Sequence, residues 1–244
     1  WQYLGDLPYR KVPIYNHMQW DLAQYPETAG QRFADPKLLW QKTTVTKCVG
    51  CPNGGPVACV TIPLTNSSSF ITTDIRILTI AGKELSRFHF PPPELEHHYA
   101  ASDIFTIGFT SRWSLIVVLK DATCIVLNLK CEQILPTFAL LDSGPIKLAD
   151  IYEGGVAVLG KEAAICELLD AHDDPDYSPH FSARRIEQDS NYAFITVLPV
   201  SDFSKSKLVQ FCAIAVLPKT HTLHRHPEVF CSTSDNSVIV VNAL

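Results

Sequence analysis

Between Ser114 and Asn128 the chain reads SLIVVLKDATCIVLN, and no other stretch limits its fold so tightly. Ten of these fifteen residues are apolar, and apart from Ser114 and Asn128 at the ends the polar ones gather at the centre, in KDAT. A single helix would set Lys120 and Asp121 midway along a cylinder that is apolar all round, where charges must be buried. Two buried strands joined by a four-residue turn, Lys120 to Thr123, leave both charges in water. No apolar run in the chain reaches the roughly 18 residues of a membrane-spanning helix.

The strand–turn–strand unit recurs. VVLKDATCIVLN begins at Val117, AVLGKEAAICEL about 40 residues later at Ala157, and CSTSDNSVIVVN at Cys231, a little under two periods further on. IFTIGFT precedes the first unit and PIKLADIYEGG the second. Upstream, PVACVTI, DIRILTIA and ELSRFHF form a similar trio, with the longer loop TNSSSFITT between two members. These runs are rich in Val, Ile, Phe and Thr and are bounded by Gly, Pro, Asn and Asp, as strands are. Helical periodicity is confined to Asp35–Lys42 and Pro92–Ala101, each at most a short turn. A period near 40 with about four strands per unit predicts an all-β fold, a β-propeller of WD40-like blades of four antiparallel strands. A β-sandwich with chance spacing is the alternative. About four blades fit in 244 residues, fewer than most propellers need to close, so an incomplete ring or fragment is expected. The N-terminus lacks an initiating Met and the C-terminus stops inside an apolar run, which fits the same expectation. Segments 91–99, 171–182 and 218–228 read as insertions at the surface.

Composition narrows the function classes. With 46% hydrophobic and 18% charged residues, the chain can build a full-sized core. A net charge of −5 argues against a general electrostatic grip on nucleic acid or anionic lipid. Most of the eight cysteines sit inside apolar runs, as in VACVTI, CIVL, AICELL and FCAIAV, so reduced thiols and a cytosolic setting are expected. The sequon Asn66-Ser67-Ser68 has no meaning in the cytosol.

Each chemical motif has a plainer reading. Cys48-Val-Gly-Cys51 has no second pair for zinc, since His97 and His98 are far along the chain, and no βαβ context for redox exchange. A strand cysteine followed by a turn cysteine before Pro52 suffices. The cluster His221, His224 and His226 lacks a metalloprotease pattern and reads as a polar loop. The run Asp170 to Asp176 has neither the Gly nor the distal Glu of a calcium loop and reads as a solvated acidic loop. Asn53-Gly54-Gly55-Pro56 lacks the GK[ST] ending of a phosphate cradle and reads as a tight turn. The triplet Pro91–Pro93 ends a strand. No serine-hydrolase elbow appears. No catalytic, cofactor-binding or metal residue is assigned.

The order of segments carries a resemblance. Tyr9-Arg10-Lys11, Trp20-Asp21-Leu22, Gly54-Gly55-Pro56, the line Ile75 through Leu85, IFTIGFTSRWSLIVVLKDATCIVLN and GGVAVLGKEAAICEL succeed one another. In that order and spacing the chain resembles the N-terminal domain of the vacuolar protein sorting-associated protein 16 family. The likeness spans most of residues 1–170, fades through 171–207 and returns at CSTSDNSVIVVNAL. The segments Ala23–Val45 and Pro218–Glu228 depart from the family pattern.

The resemblance implies that residues 1–244 are the N-terminal β-propeller region of a longer protein, whose C-terminal α-solenoid lies outside this chain. It implies a core subunit of the HOPS and CORVET tethering complexes, which hold endosomal, lysosomal or vacuolar membranes together for SNARE-mediated fusion. Partners would be the other subunits, with the Sec1/Munc18-like subunit bound through the missing solenoid. Location would be cytoplasmic and peripheral on those membranes. The implied function is a non-enzymatic scaffold without cofactor, its loop aromatics Trp40, Tyr99 and Tyr177 being candidate anchors. The alternative is a sialidase- or glycosidase-type or carbohydrate-binding propeller, which would bring Asp103, Arg112 and Asp121 together in an axial pocket. A WD-repeat adaptor outside trafficking is a third possibility, disfavoured by the lack of clear GH…WD repeats.

Overall fold

The computed structural model describes residues 43–52, 54–63, 73–95, 99–142, 144–170, 183–198, 211–218, 227–234 and 236–242. Among these residues lie sixteen strands and one 3₁₀ turn, Ala101–Asp103. Four antiparallel sheets follow one another along the chain. The first holds β1 (Thr43–Gly50), β2 (Val57–Pro63), β3 (Thr73–Leu78) and β4 (Glu84–Phe90) in sequence order. The second holds β5 (Ile104–Phe109), β6 (Leu115–Leu119), β7 (Thr123–Leu127) and the two-residue β8 (Phe138–Ala139). The third contains β9 (Leu148–Tyr152), β10 (Gly155–Leu159), β11 (Ala163–Asp170), β12 (Ala183–Gln188) and β13 (Asn191–Leu198). The fourth has β14 (Phe211–Leu217), β15 (Glu228–Thr233) and β16 (Val238–Asn242).

The stretch 114–128 is a hairpin, and its two apolar runs are β6 and β7. Their lack of alternation has a simple cause: both faces are buried. Leu115, Val117 and Leu119 enter a core with Ala58, Val60, Ile75 and Ile77 of the first sheet. Ile116 and Val118 enter a second core with Val156, Val158, Ala164 and Cys166 of the third sheet. A third core joins Ala157, Leu159 and Ile165 to Val229 and Cys231 of the fourth. The sheets therefore stack face to face in chain order, as blades do. Alternation survives where a face is open to solvent, as in β1 and β12.

The first strands of the four sheets, β1, β5, β9 and β14, touch one another in succession. Gly108 of β5 permits that approach, because a Cβ there would lie 2.8 Å from Cγ2 and 2.9 Å from Cβ of Ile151 in β9. Asp150 of β9 accepts a hydrogen bond from the Val216 N–H of β14 at 2.9 Å, joining the third and fourth sheets at the same edge.

Six loops among the described residues share one turn, that from Cys51 to Gly54 and five others. In each, the N–H of the fourth residue bonds the carbonyl of the first, and that fourth residue has positive φ: Gly54, Gly82, Trp113, Ala122, Cys131 and Asn236. A type I turn followed by a left-handed residue suits the right-handed twist of paired strands. In four of them a side chain of the first residue also caps the fifth N–H: Thr79 to Lys83, Thr110 to Ser114, Asn128 to Glu132 and Thr233 to Ser237.

The sequence expectation of four strands per unit needs correction in the third sheet, which has five in the order β12-β13-β11-β10-β9. The hairpin β12–β13 folds back so that β13, the later strand, pairs with β11. β12 was not foreseen because ARRIEQ offers only two separated apolar residues, Ala183 and Ile186, and charged residues suit a sheet edge. The fourth sheet shows three strands among the described residues. Two further boundaries shift: Thr123 belongs to β7, leaving Lys120–Ala122 as the turn, and Thr43–Val45, placed in an insertion, begin β1. Residues 171–182 and 219–226 lie outside the described set, as does the short helical turn expected over Asp35–Lys42.

Candidate functional site

The turn Thr110–Ser114, at the tip of the β5–β6 hairpin, carries Trp113 with 49% of its surface exposed. Its φ of 63° is uncommon for a bulky residue and costs of order 1 kcal/mol or more. Neighbouring elements hold the turn. The backbone N–H and the hydroxyl of Ser111 both donate to the Glu153 carbonyl, at 2.9 and 3.1 Å, in the turn between β9 and β10. Arg112 pairs with Asp170 at the end of β11 at 2.5 Å. An exposed indole on a strained, tethered turn is a preorganised contact, because little conformational freedom is left to lose on binding.

The first sheet has a polar outer face. Register sets Cys48, Cys59, Arg76 and Arg87 in one row across all four strands, with Thr61, Asp74 and His89 in another. Arg76 is only 5% exposed. Its guanidinium donates to Thr61 Oγ1 at 3.0 Å, Glu84 Oε2 at 2.5 Å and Asp74 Oδ2 at 2.8 Å. Arg87 lies 2.9 Å from Glu84 and 3.8 Å from Asp74, and His89 Nδ1 lies 2.8 Å from Asp74 Oδ1. Two arginines thus balance two carboxylates, which offsets the desolvation of a buried cation.

At the seam between the first and second sheets, an open depression of about 350 Å³ is lined by Thr46, Lys47, Ile62, Ser102, Phe105 and Lys120. Two ammonium groups beside hydroxyls and an apolar floor suit an acidic side chain.

The structure separates the trio that a glycosidase-like site would need. Asp103 caps the 3₁₀ turn by accepting the Ala100 N–H at 2.8 Å, and its carbonyl accepts the Lys120 N–H. Asp121 sits nearby on the β6–β7 turn, accepting from Tyr99 Oη at 2.5 Å and from Thr123 N at 3.0 Å. Arg112 is at the other end of the same hairpin strands, paired with Asp170. Burial raises the Asp121 carboxyl, but its hydrogen bonds from Tyr99 and Thr123 outweigh this and leave it below its ordinary value. The same bond to Asp121 pushes the Tyr99 phenol up. Tyr99 is therefore engaged by its neighbour, and Trp113, which sequence reasoning passed over, is an exposed aromatic among the described residues. Its signal is the Thr-x-x-x-Ser turn that places it at the left-handed position.

The other motifs fall as follows. Cys48 and Cys51 point to different sides: Cys48 lies on the exposed face, while Cys51 packs in the core between the first two sheets. Gly54 and Gly55 have φ of 79° and 115° in the turn that Cys51 N closes on the Pro56 carbonyl. Pro91 follows β4. Trp40, Asn66–Ser68, His97, His98, Ala171–Asp176, Tyr177, His221, His224 and His226 lie outside the described residues. Among the described residues no group of three or more His, Cys, Asp or Glu is placed to hold a metal ion, and no helix is long and apolar enough to cross a membrane.

No protein-family model matches the sequence. No curated protein matches it either. Among solved structures the chain is similar to HIRA(644-1017), with 13% identity and a TM-score of 0.36 over 83% of this chain and 54% of that one. It is also similar to uncomplexed acylaminoacyl peptidase from Pyrococcus horikoshii, with 13% identity and a TM-score of 0.32 over 84% of this chain and 33% of that one. The chain spans about half the length of the first and a third of the second. Likeness at this level carries no implication for what the chain binds or catalyses.

Proposed function

We propose that this chain is a non-enzymatic docking module of an endolysosomal membrane-tethering complex of the HOPS/CORVET type, built as part of a β-propeller. The observation that carries the reading is the order of segments resembling the vacuolar protein sorting-associated protein 16 family. Those of the segments that lie among the described residues coincide with strands and turns: Gly54-Gly55-Pro56 leads into β2, Ile75 through Leu85 spans the β3–β4 turn, and IFTIGFTSRWSLIVVLKDATCIVLN spans β5 to β7, whereas Tyr9–Lys11 and Trp20–Leu22 lie outside the described residues. The architecture suits function by display. Shared cores between neighbouring sheets make a rigid body, and the turns at sheet ends carry the contacts. Trp113 supplies an anchor of the kind that dominates binding energy, and the Lys47–Lys120 depression supplies charge complementarity. Such a module acts in vesicle-mediated transport at the cytosolic face of endosomes, lysosomes or vacuoles without performing chemistry.

The test is affinity purification of the full-length protein followed by mass spectrometry. Recovery of the Sec1/Munc18-like subunit and other tethering subunits is expected. A clean purification without any of them overturns the reading. A Trp113→Ala form, in which alanine accepts positive φ as Ala122 does, should lose one of the subunits while keeping its thermal stability.

A further inference from the structure

We propose that Cys48 and Cys59 form an oxidation site, at which a peroxide closes a cross-strand disulfide that pins β1 to β2. The two residues are directly opposed in the antiparallel register. Their sulfurs lie 3.4 Å apart, with the Cys59 thiol donating to Cys48. Directly opposed residues have Cα atoms about 4.5 or 5.5 Å apart, depending on ladder position, and a disulfide spans either. Closing the remaining gap to the S–S length of about 2.05 Å takes side-chain rotation and little backbone movement. The CxxC pattern points to Cys51 instead, but that side chain packs into the core on the far side of β1.

The pair also divides the labour that thiol oxidation requires. Cys48 is exposed and meets the oxidant; Cys59 is buried beneath it. Burial first, then the hydrogen bond and the charge of Cys48, push the Cys59 thiol up to about 12, so Cys59 stays protonated while Cys48 reacts. The Cys48 thiolate attacks one peroxide oxygen, the O–O bond breaks, and the leaving hydroxide takes a proton to become water. Cys48 is then a sulfenic acid. The Cys59 sulfur attacks the Cys48 sulfur, the S–S bond forms, the S–O bond breaks, and the hydroxyl leaves with the Cys59 proton as a second water. Two thiols lose two electrons in total, and one peroxide is reduced to two waters. Cys124 and Cys166, fully buried between the second and third sheets, are out of the oxidant's reach. Because β1 is the first strand of its sheet and touches β5, the bond would fix the edge that lines the Lys47–Lys120 depression.

The full-length protein is titrated with hydrogen peroxide, blocked with iodoacetamide, unfolded and digested with trypsin. No Lys or Arg separates Cys48 from Arg76, so Cys48, Cys51 and Cys59 fall in one peptide, 48–76. The expected product is two hydrogens lighter and alkylated once, at Cys51. Fragmentation before Pro52 releases Cys48–Cys51 from a bridge within that pair but not from a Cys48–Cys59 bridge, which tells the two apart. Cys51→Ser should oxidise as readily as the natural protein, and Cys59→Ser should stop at sulfenic or sulfinic acid on Cys48. A Cys48–Cys51 bond overturns the proposal, as does loss of the bridge in Cys51→Ser. So does overoxidation of Cys48 with Cys59 still alkylatable after unfolding. Failure of the pair to react at peroxide levels that oxidise the exposed Cys212 overturns it as well.

Discussion

Val117 and Val118 are consecutive, identical and fully buried, yet they face opposite cores. Replacing each separately with alanine tests whether the second sheet is covered on both sides. Each substitution removes two methyl groups, worth about 1.6 kcal/mol in transfer free energy at about 0.8 kcal/mol per group. A residual cavity of roughly 50 Å³ adds up to about 1 kcal/mol at about 24 cal/mol per Å³. Each variant should therefore lose about 2–3 kcal/mol. In urea this lowers the midpoint by roughly 1 M with an unchanged slope of about 2–3 kcal/mol per M. In heating it lowers Tm by roughly 4–10 °C for a domain of this size. Val240→Ala, at a half-exposed position on β16, should stay within about 0.5 kcal/mol. The midpoints are read by circular dichroism and tryptophan fluorescence together. If one of the two buried variants loses the full amount and the other less than about 0.5 kcal/mol, β6 has one buried face and the stacking argument fails.

Other expectations rest on single contacts. Asp74→Asn leaves the buried Arg76 with Glu84 as its one carboxylate, and should cost about 2–4 kcal/mol, whereas Arg87→Ala, at a more exposed pair, should cost under about 1 kcal/mol; urea midpoints measure both. Burial raises the Asp150 carboxyl despite the Val216 N–H bond, so its ionised form is disfavoured in the folded state. That penalty is fully present above its folded pKa and fades as pH falls through that value toward the ordinary 3.8. Asp150→Asn keeps the acceptor and should match or exceed natural stability at pH 7 while removing this share of the pH dependence; a large loss at pH 7 with unchanged pH dependence refutes the account. Gly108→Ala should destabilise by about 1–3 kcal/mol through overpacking against Ile151, and Ile151→Ala should recover part of it, a coupling that a double-mutant cycle measures.

Much of the fold was legible because hairpins are local. The runs over Val57–Ile62, Ile104–Phe109, Leu115–Leu119 and Val156–Leu159 became β2, β5, β6 and β10 within a residue or so. Polar or short strands were not legible: β12 reads ARRIEQ, and β8 is two residues at the head of the four-residue run FALL, too brief to read as a strand. At the candidate site, Tyr99 looked like a free loop aromatic, but Asp121, 22 residues away, holds its hydroxyl. Trp113 drew no reading from the sequence, and its turn geometry sets it at the surface. The same turn recurs at Thr79, Asn128 and Thr233, at spacings that do not follow the strand repeat.

The amino-acid pattern alone determined that this chain is all-β, that it proceeds by hairpins, and that Lys120 and Asp121 end in water. Those outcomes depend on neighbours in sequence: apolar runs too short for helices, and charges confined to turns. Tertiary structure decided which faces are covered, that β13 displaces β12 beside β11, and that Arg112 stands apart from Asp103 and Asp121. It also decided that Cys48 meets Cys59 and not Cys51. Pairing across strands and packing across sheets join residues through register, and a one-residue shift in register would reverse every face, so periodicity along the chain cannot assign these partners.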